Sequence, residues 1–235
     1  NRKADGPAAS VQPLSGPGGS NYAHAEVIMQ DSAQKTDGYW LYEPANPRPD
    51  SAHVVVFMHG YAALNPMAYG GWIRHLVRKG NIVIFPRYQR DMWTTPTERF
   101  AQNAAKGIRD ALQALKTGDH VRPIDGPLVM IGHSYGGAIS AYLGVKYKKY
   151  GIPQPKGLLL CAPGTGPMNG AKLDDYGQMP AGTKLLIVNS NDDQVVKESF
   201  QRTIFNTAVN TPTRNFLKLN ADDHGSPAIK AHHNA

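Results

Sequence analysis

The chain has a single cysteine, Cys161, among 235 residues, and no apolar run near the ~18 residues that would cross a membrane as a helix. One cysteine excludes an intramolecular disulfide and any multi-cysteine zinc or iron–sulfur centre. Acidic residues are also scarce: 18, against 25 Lys and Arg, give a net charge of +7. The bases are scattered, however. The one dense group, Lys146, Lys148 and Lys149, ends a predicted helix, where cations complement the macrodipole. No nucleic-acid module or aromatic-basic interleaving accompanies the charge, so nucleic acid is not an expected partner. With 41% hydrophobic and 18% charged residues, the composition is that of a folded globular chain.

Residues 1–20 are rich in Gly, Pro, Ser and Ala and have no apolar face to bury, so they are expected to form a flexible leader. A leader of this kind, in a chain that starts at Asn1, suggests export to a secreted or periplasmic location. From residue 21 onward a single domain is expected. Short runs rich in β-branched and aliphatic residues alternate with longer segments of helical period. Residues 25–30 and 39–43 read as an opening pair of strands. Continuous apolar runs at 54–58, 82–85, 128–131, 158–161 and 185–188 read as strands buried on both faces, and 216–219 completes eight. Helices are predicted at 66–79, 97–117, 135–149 and 196–208. The fold class is therefore α/β, a mostly parallel eight-stranded sheet with helices on both faces. No internal repeat is present.

The sharpest local feature is Gly132-His133-Ser134-Tyr135-Gly136-Gly137, which follows a strand and opens a helix. A serine raised on so sharp a turn has a strained backbone, and the positions two residues to either side must be very small. Both are glycine. A helix N-terminus beneath the serine favours the negative charge that develops in acyl transfer. His59-Gly60-Tyr61 stands at the end of the first central strand, where the Tyr61 N–H joins the Tyr135 N–H as a candidate two-donor oxyanion hole. A serine nucleophile needs a base, and the base needs an orienting acid. The strand at 184–189 runs into Asp192-Asp193, and the strand at 214–219 runs toward Asp222-Asp223-His224. Both loops leave the carboxyl ends of strands, where open parallel sheets place their sites. Ser, then Asp, then His is the chain order of one of the three common serine-hydrolase arrangements.

With these residues in this order, the sequence resembles the α/β-hydrolase family over roughly residues 25–225. The resemblance implies the α/β-hydrolase fold, hydrolysis of carboxylic esters through an acyl-enzyme, and no cofactor. The family's acid motif is matched by Ser190-Asn191-Asp192-Asp193-Gln194-Val195, which points to Asp193 rather than Asp192 as the acid. It also implies Ser134 as nucleophile and His224 as base, with Asp222 and Asp223 as loop residues whose charge raises the histidine's proton affinity. His133 is a packing residue at the elbow and, with Tyr61, a candidate substrate contact. His59 is read as a structural hydrogen-bonding residue, and the adjacent His232 and His233 cannot easily face one metal ion, so no metal site is expected.

Serine at position 134 argues against relatives that use cysteine or aspartate there, and leaves esterase, lipase, thioesterase or peptidase. Only about twenty residues separate Cys161 from Lys184, and they are rich in Gly and Pro, so a large helical lid is not expected. An uncovered site favours short acyl chains or bulky, polymer-like esters. Tyr61 after His-Gly is similar to the cutinase-like and polyester-hydrolysing enzymes, but those usually carry a C-terminal disulfide that one cysteine cannot supply. A general carboxylesterase is the primary reading, and a polyester hydrolase or lipase the alternative. Trp72 is read as core packing on a helical face, and Arg87 as a loop arginine paired with nearby acids. The glycine-rich stretch 164–170 lacks the following helix that a dinucleotide site requires. A non-catalytic binding module with the same fold is the rival of a different class. The ten residues after Gly225 suffice for a minimal last helix, or the native chain continues beyond Ala235.

Overall fold

A computed structural model of the chain describes residues 11–96, 98–126, 128–166, 170–222, 228 and 230–234. Its elements alternate along the chain: β1 (Glu26–Ser32), β2 (Tyr39–Ala45), β3 (Ser51–Met58), α1 (Gly70–Arg78), β4 (Asn81–Pro86), α2 (Glu98–Ala114), β5 (Arg122–Pro123), β6 (Leu128–His133), α3 (Tyr135–Tyr150), β7 (Pro155–Cys161), β8 (Lys184–Ser190), α4 (Glu198–Thr207) and β9 (Arg214–Leu219). The sheet runs β1-β2-β4-β3-β6-β7-β8-β9, with β5 added beside β3. β1 pairs β2, and β2 pairs β4, antiparallel; every other pairing is parallel. Each of the eight predicted strands is present.

The uninterrupted apolar runs occupy the middle of the sheet. Val54–Met58 and Ile82–Phe85 are buried throughout, as strands covered on both faces must be. One face packs on α2, α3 and α4 in a large core that includes Met58, Ile84, Ile108, Leu143 and Ile187. The other face packs on α1, where Phe57, Phe85 and Ile131 meet Ile73 and Val77. Each such side chain contributes roughly 1.5–3 kcal/mol on burial. Val27 of β1 and Trp40 and Tyr42 of β2 pack against the same cluster, so α1 covers this face from the β1 edge inward. Toward the other edge, Leu217 and Leu219 of β9 remain 50% and 44% exposed.

Two details differ from the sequence reading. The predicted helix at 66–79 is split into a 3-10 turn at Pro66–Tyr69, where the Asn65 side chain accepts from the Met67 N–H at 2.9 Å, followed by α1. The two-residue β5 had no apolar signature. It is placed instead beside buried Glu43, which accepts from the Val121 N–H at 2.6 Å and lies 2.7 Å from His120 Nδ1. Between β7 and β8 the described residues form neither helix nor strand, and Ala171, Tyr176 and Met179 fold down into the core instead of rising over the site. Past β9 no described residue is helical. Of residues 1–20, the structure describes 11–20, where Pro17 O and Gly16 O meet His75 and Lys79 at the end of α1.

Candidate active site

Ser134 sits between the last residue of β6 and the first of α3 with φ 55° and ψ −124°, a conformation costly for a residue with a side chain. Two glycines make the turn possible. A Cβ on Gly132 would lie 2.5 Å from the Gly136 carbonyl oxygen, and one on Gly136 would lie 2.2 Å from that of Met58. The turn is then locked by its own backbone: Ser134 N–H donates to Cys161 O at 2.9 Å, and Ser134 O accepts from Gly137 and Gly164 at 2.9 and 3.1 Å. The Ser134 side chain makes no capping bond to α3.

The loop after β3, which carries the candidate oxyanion donor Tyr61, meets this turn at Gly60, where a Cβ would sit 3.3 Å from Ser134 Cβ. Around Tyr61 the neighbouring amides are occupied: Gly60 N–H donates to the Tyr69 hydroxyl at 2.8 Å and Ala62 N–H to Gln89 Oε1 at 3.0 Å. Among the described residues no acceptor takes the Tyr61 or Tyr135 N–H, so these two donors are available to a ligand. The Tyr61 side chain turns away, and its hydroxyl donates to Met92 O at 2.9 Å. Beneath the loop His59 is fully buried and stacked on Tyr88 at 3.9 Å, its nitrogens 2.7 and 2.8 Å from the carbonyls of Gly60 and Arg87. Burial outweighs those two carbonyl contacts and pulls its pKa down to about 4. Such a ring braces the loop. Arg87 bonds the carbonyls of Ala33 and Arg90 at 2.9 and 3.0 Å rather than an acid.

Asp193 follows β8. Its Oδ1 accepts from the Val195 and Val196 N–H groups at 2.8 and 3.0 Å, and its Oδ2 lies 2.8 Å from Nδ1 of His233. The two side chains are 2% and 10% exposed. Burial opposes ionisation of Asp193, but the hydrogen bonds from His233, Val196 and Val195 prevail and hold it below the ordinary carboxylate value. Asp192 is exposed and uses its backbone, donating to Ala231 O at 2.9 Å. His224, expected as the base, lies outside the described residues. The histidine that the fold brings to the acid is His233, which follows Ser134 and Asp193 in the same chain order. His133 adjoins both: its ring lies 4.8 Å from that of His233, and its Nε2 is 2.9 Å from the His233 carbonyl. Among the described residues no cluster suits a metal ion.

Chain order alone could have flagged His233, since any histidine beyond Asp193 satisfies it; weighing His232 and His233 only as metal ligands hid that possibility. Gln89 and Tyr88, which support the loop after β3 through Ala62 and His59, carried no recognisable motif. A cavity of about 490 Å³ opens beside His133 and His233, walled by Ala68, Trp72, Cys161, Val188 and Leu219. Trp72 packs edge-on against Phe57 at 5.0 Å and also lines this cavity, so it serves both as core and as wall. Burial pushes the Cys161 thiol up to about 12, which makes it a poor nucleophile.

The alpha/beta hydrolase family model matches residues 55–218, and the chain belongs to that family. Among solved structures the fold is similar to esterase B from Lactobacillus rhamnosis, at a TM-score of 0.65 and 15% identity over 91% of this chain and 81% of that one. It is also similar to a fungal esterase structure from Rhizomucor miehei, at 0.61 and 17% identity over 85% and 76% of the two chains. No curated protein matches the sequence.

Proposed function

We propose that the protein is a serine hydrolase of carboxylic esters, with Ser134 as nucleophile, His233 as base and Asp193 as the orienting acid. The observation that carries this reading is the buried 2.8 Å contact of Asp193 with His233 Nδ1, whose ring lies 4.8 Å from that of His133, the residue that precedes Ser134 on its strained turn. That contact leaves Nε2 of His233 as the ring's free nitrogen for the serine proton. In the reaction His233 Nε2 removes the hydroxyl proton while Ser134 Oγ bonds to the ester carbonyl carbon. The Tyr61 and Tyr135 N–H groups hold the oxygen that becomes negative, each donor of this type being worth about 3–4 kcal/mol in the transition state. The carbon–alkoxy bond breaks, His233 returns the proton to the leaving oxygen, and an alcohol departs. Water, deprotonated by the same nitrogen, then attacks the acyl-enzyme; the bond to Ser134 breaks, its oxygen regains a proton, and an acid is released.

The esterase names of the similar folds, and the absence of a covering element among the described residues of 162–183, support short or bulky esters as substrates. A polyester is the second reading, favoured by Trp93 and Met92, 83% and 50% exposed on the loop that anchors the Tyr61 hydroxyl. Ser134→Ala tests the whole assignment. Hydrolysis of a short activated ester should fall at least about 10³-fold in a folded variant, and a fluorophosphonate probe should label the wild-type chain at Ser134 and not the variant. Undiminished hydrolysis by the purified variant sinks the assignment, and an unlabelled wild type favours a binding module.

A further inference from the structure

One continuous chain of hydrogen bonds runs behind Ser134, through groups that the proposed reaction does not consume. Gly60 N–H meets the Tyr69 hydroxyl oxygen at 2.8 Å, that oxygen lies 2.9 Å from His133 Nδ1, and His133 Nε2 lies 2.9 Å from the His233 carbonyl. Donor counting fixes its direction. A carbonyl only accepts, so Nε2 of His133 carries the ring proton; in the neutral ring Nδ1 is then an acceptor, so the Tyr69 hydroxyl donates to it and receives the Gly60 N–H on a lone pair. Burial holds His133 below its ordinary pKa and so favours this neutral form.

The two ends of the chain and one residue within it belong to the three parts of the site. Gly60 belongs to the oxyanion loop, His133 to the elbow, and His233 carries the base. By occupying Gly60 N–H, Tyr69 leaves Tyr61 N–H as the loop's open donor. By holding the His233 carbonyl, His133 fixes the main chain of a residue whose side chain is fixed by Asp193, so the ring is held at two points. We infer that Tyr69 and His133 are positioning residues that set the spacing of oxyanion loop, nucleophile and base, an inference resting on the ester-hydrolase reading above. Neither residue touches the reacting atoms in this role; each acts through a neighbour.

Tyr69→Phe is a clean probe, because the ring packs against Phe57 at 4.9 Å and near Phe85 at 6.2 Å, and those contacts survive loss of the hydroxyl. With a short activated ester, kcat should fall about 10- to 100-fold while KM changes less than about twofold. His133→Leu should do the same, His133→Gln, which supplies an acceptor and a donor, should recover part of the loss, and Tyr69→Phe with His133→Leu should be no worse than the poorer single variant. Long-range ¹H–¹⁵N spectra of the imidazoles should show His133 as the Nε2–H tautomer in the wild type, with its Nδ1 signal displaced in Tyr69→Phe. An Nδ1–H tautomer, strictly additive losses, or unchanged kcat in Tyr69→Phe overturns the inference. If the wild type neither turns over esters nor labels at Ser134, the ester-hydrolase reading and the positioning role both fall, whereas the spectra still show whether the hydrogen-bond chain exists.

Discussion

Ser134 is held through its backbone, by bonds to Gly137, Cys161 and Gly164 on a turn that glycines make possible, whereas His233 is held chiefly by side chains, those of Asp193 and His133, 40 and 100 positions away. At the elbow the determinants are steric: no side chain fits at Gly132 or Gly136, and the backbone bonds of Ser134 close the turn. At the other end the segment 230–234 has no strand or helix of its own. It is held by the Asp192 N–H on Ala231 O, by the buried Ala231, and by the two contacts of His233. Backbone packing around one turn fixes Ser134, while a few hydrogen bonds fix the proposed base, His233.

The largest expected effect breaks the long-range half. His233→Ala should lower kcat/KM for an activated ester by about 10³-fold or more, and His224→Ala by less than about fivefold; the reverse pattern in steady-state assays would return the base role to His224. Gly136→Ala breaks the backbone half. With a Cβ 2.2 Å from a backbone oxygen of β3, something must shift, so a loss of stability of about 3 kcal/mol or more is expected in chemical denaturation, from overpacking against a rigid strand. His233→Ala, which removes one hydrogen bond from a carboxylate that keeps the Val195 and Val196 N–H groups, should cost less, about 1–2 kcal/mol, and comparable losses in the two variants would erase the distinction.

A smaller effect concerns pH. The pKa of His59 is lowered to about 4 from 6.5, so between those values the unfolded chain binds the extra proton and the native chain does not. Stability should therefore decline as pH falls through that window, by at most roughly 3 kcal/mol from this group. Denaturation of His59→Gln across pH 4–7 should show a flatter dependence. An equal slope would mean that His59 is already charged in the native state. Asp193, held below its ordinary value, acts below this window: its contribution is lost only as pH falls through its own lowered pKa.

Strand and helix order was legible because the relevant signals are short and strong. Five continuous apolar runs require burial on both faces, and Gly80 and Gly118 stop the helices before them close to where the structure ends them. That Ser134, Tyr61, Tyr135 and Asp193 lie at one edge was legible for a related reason: each follows a recognisable strand, and a parallel sheet delivers all its strand ends to one edge. Short, weakly patterned pieces were not legible. β5 is two residues long, and the residues after β9 carry several histidines without any period to choose among them.

By itself the sequence determined the α/β architecture and the sharp turn at Ser134, because hydrophobic period and the glycines that flank Ser134 are read over a few residues. Which histidine meets Asp193, and which amide of the oxyanion loop stays open, was decided only in three dimensions. Both depend on hydrogen bonds between residues far apart in the chain, and the sequence carries no local trace of such partners until the sheet has brought them within about 3 Å of one another.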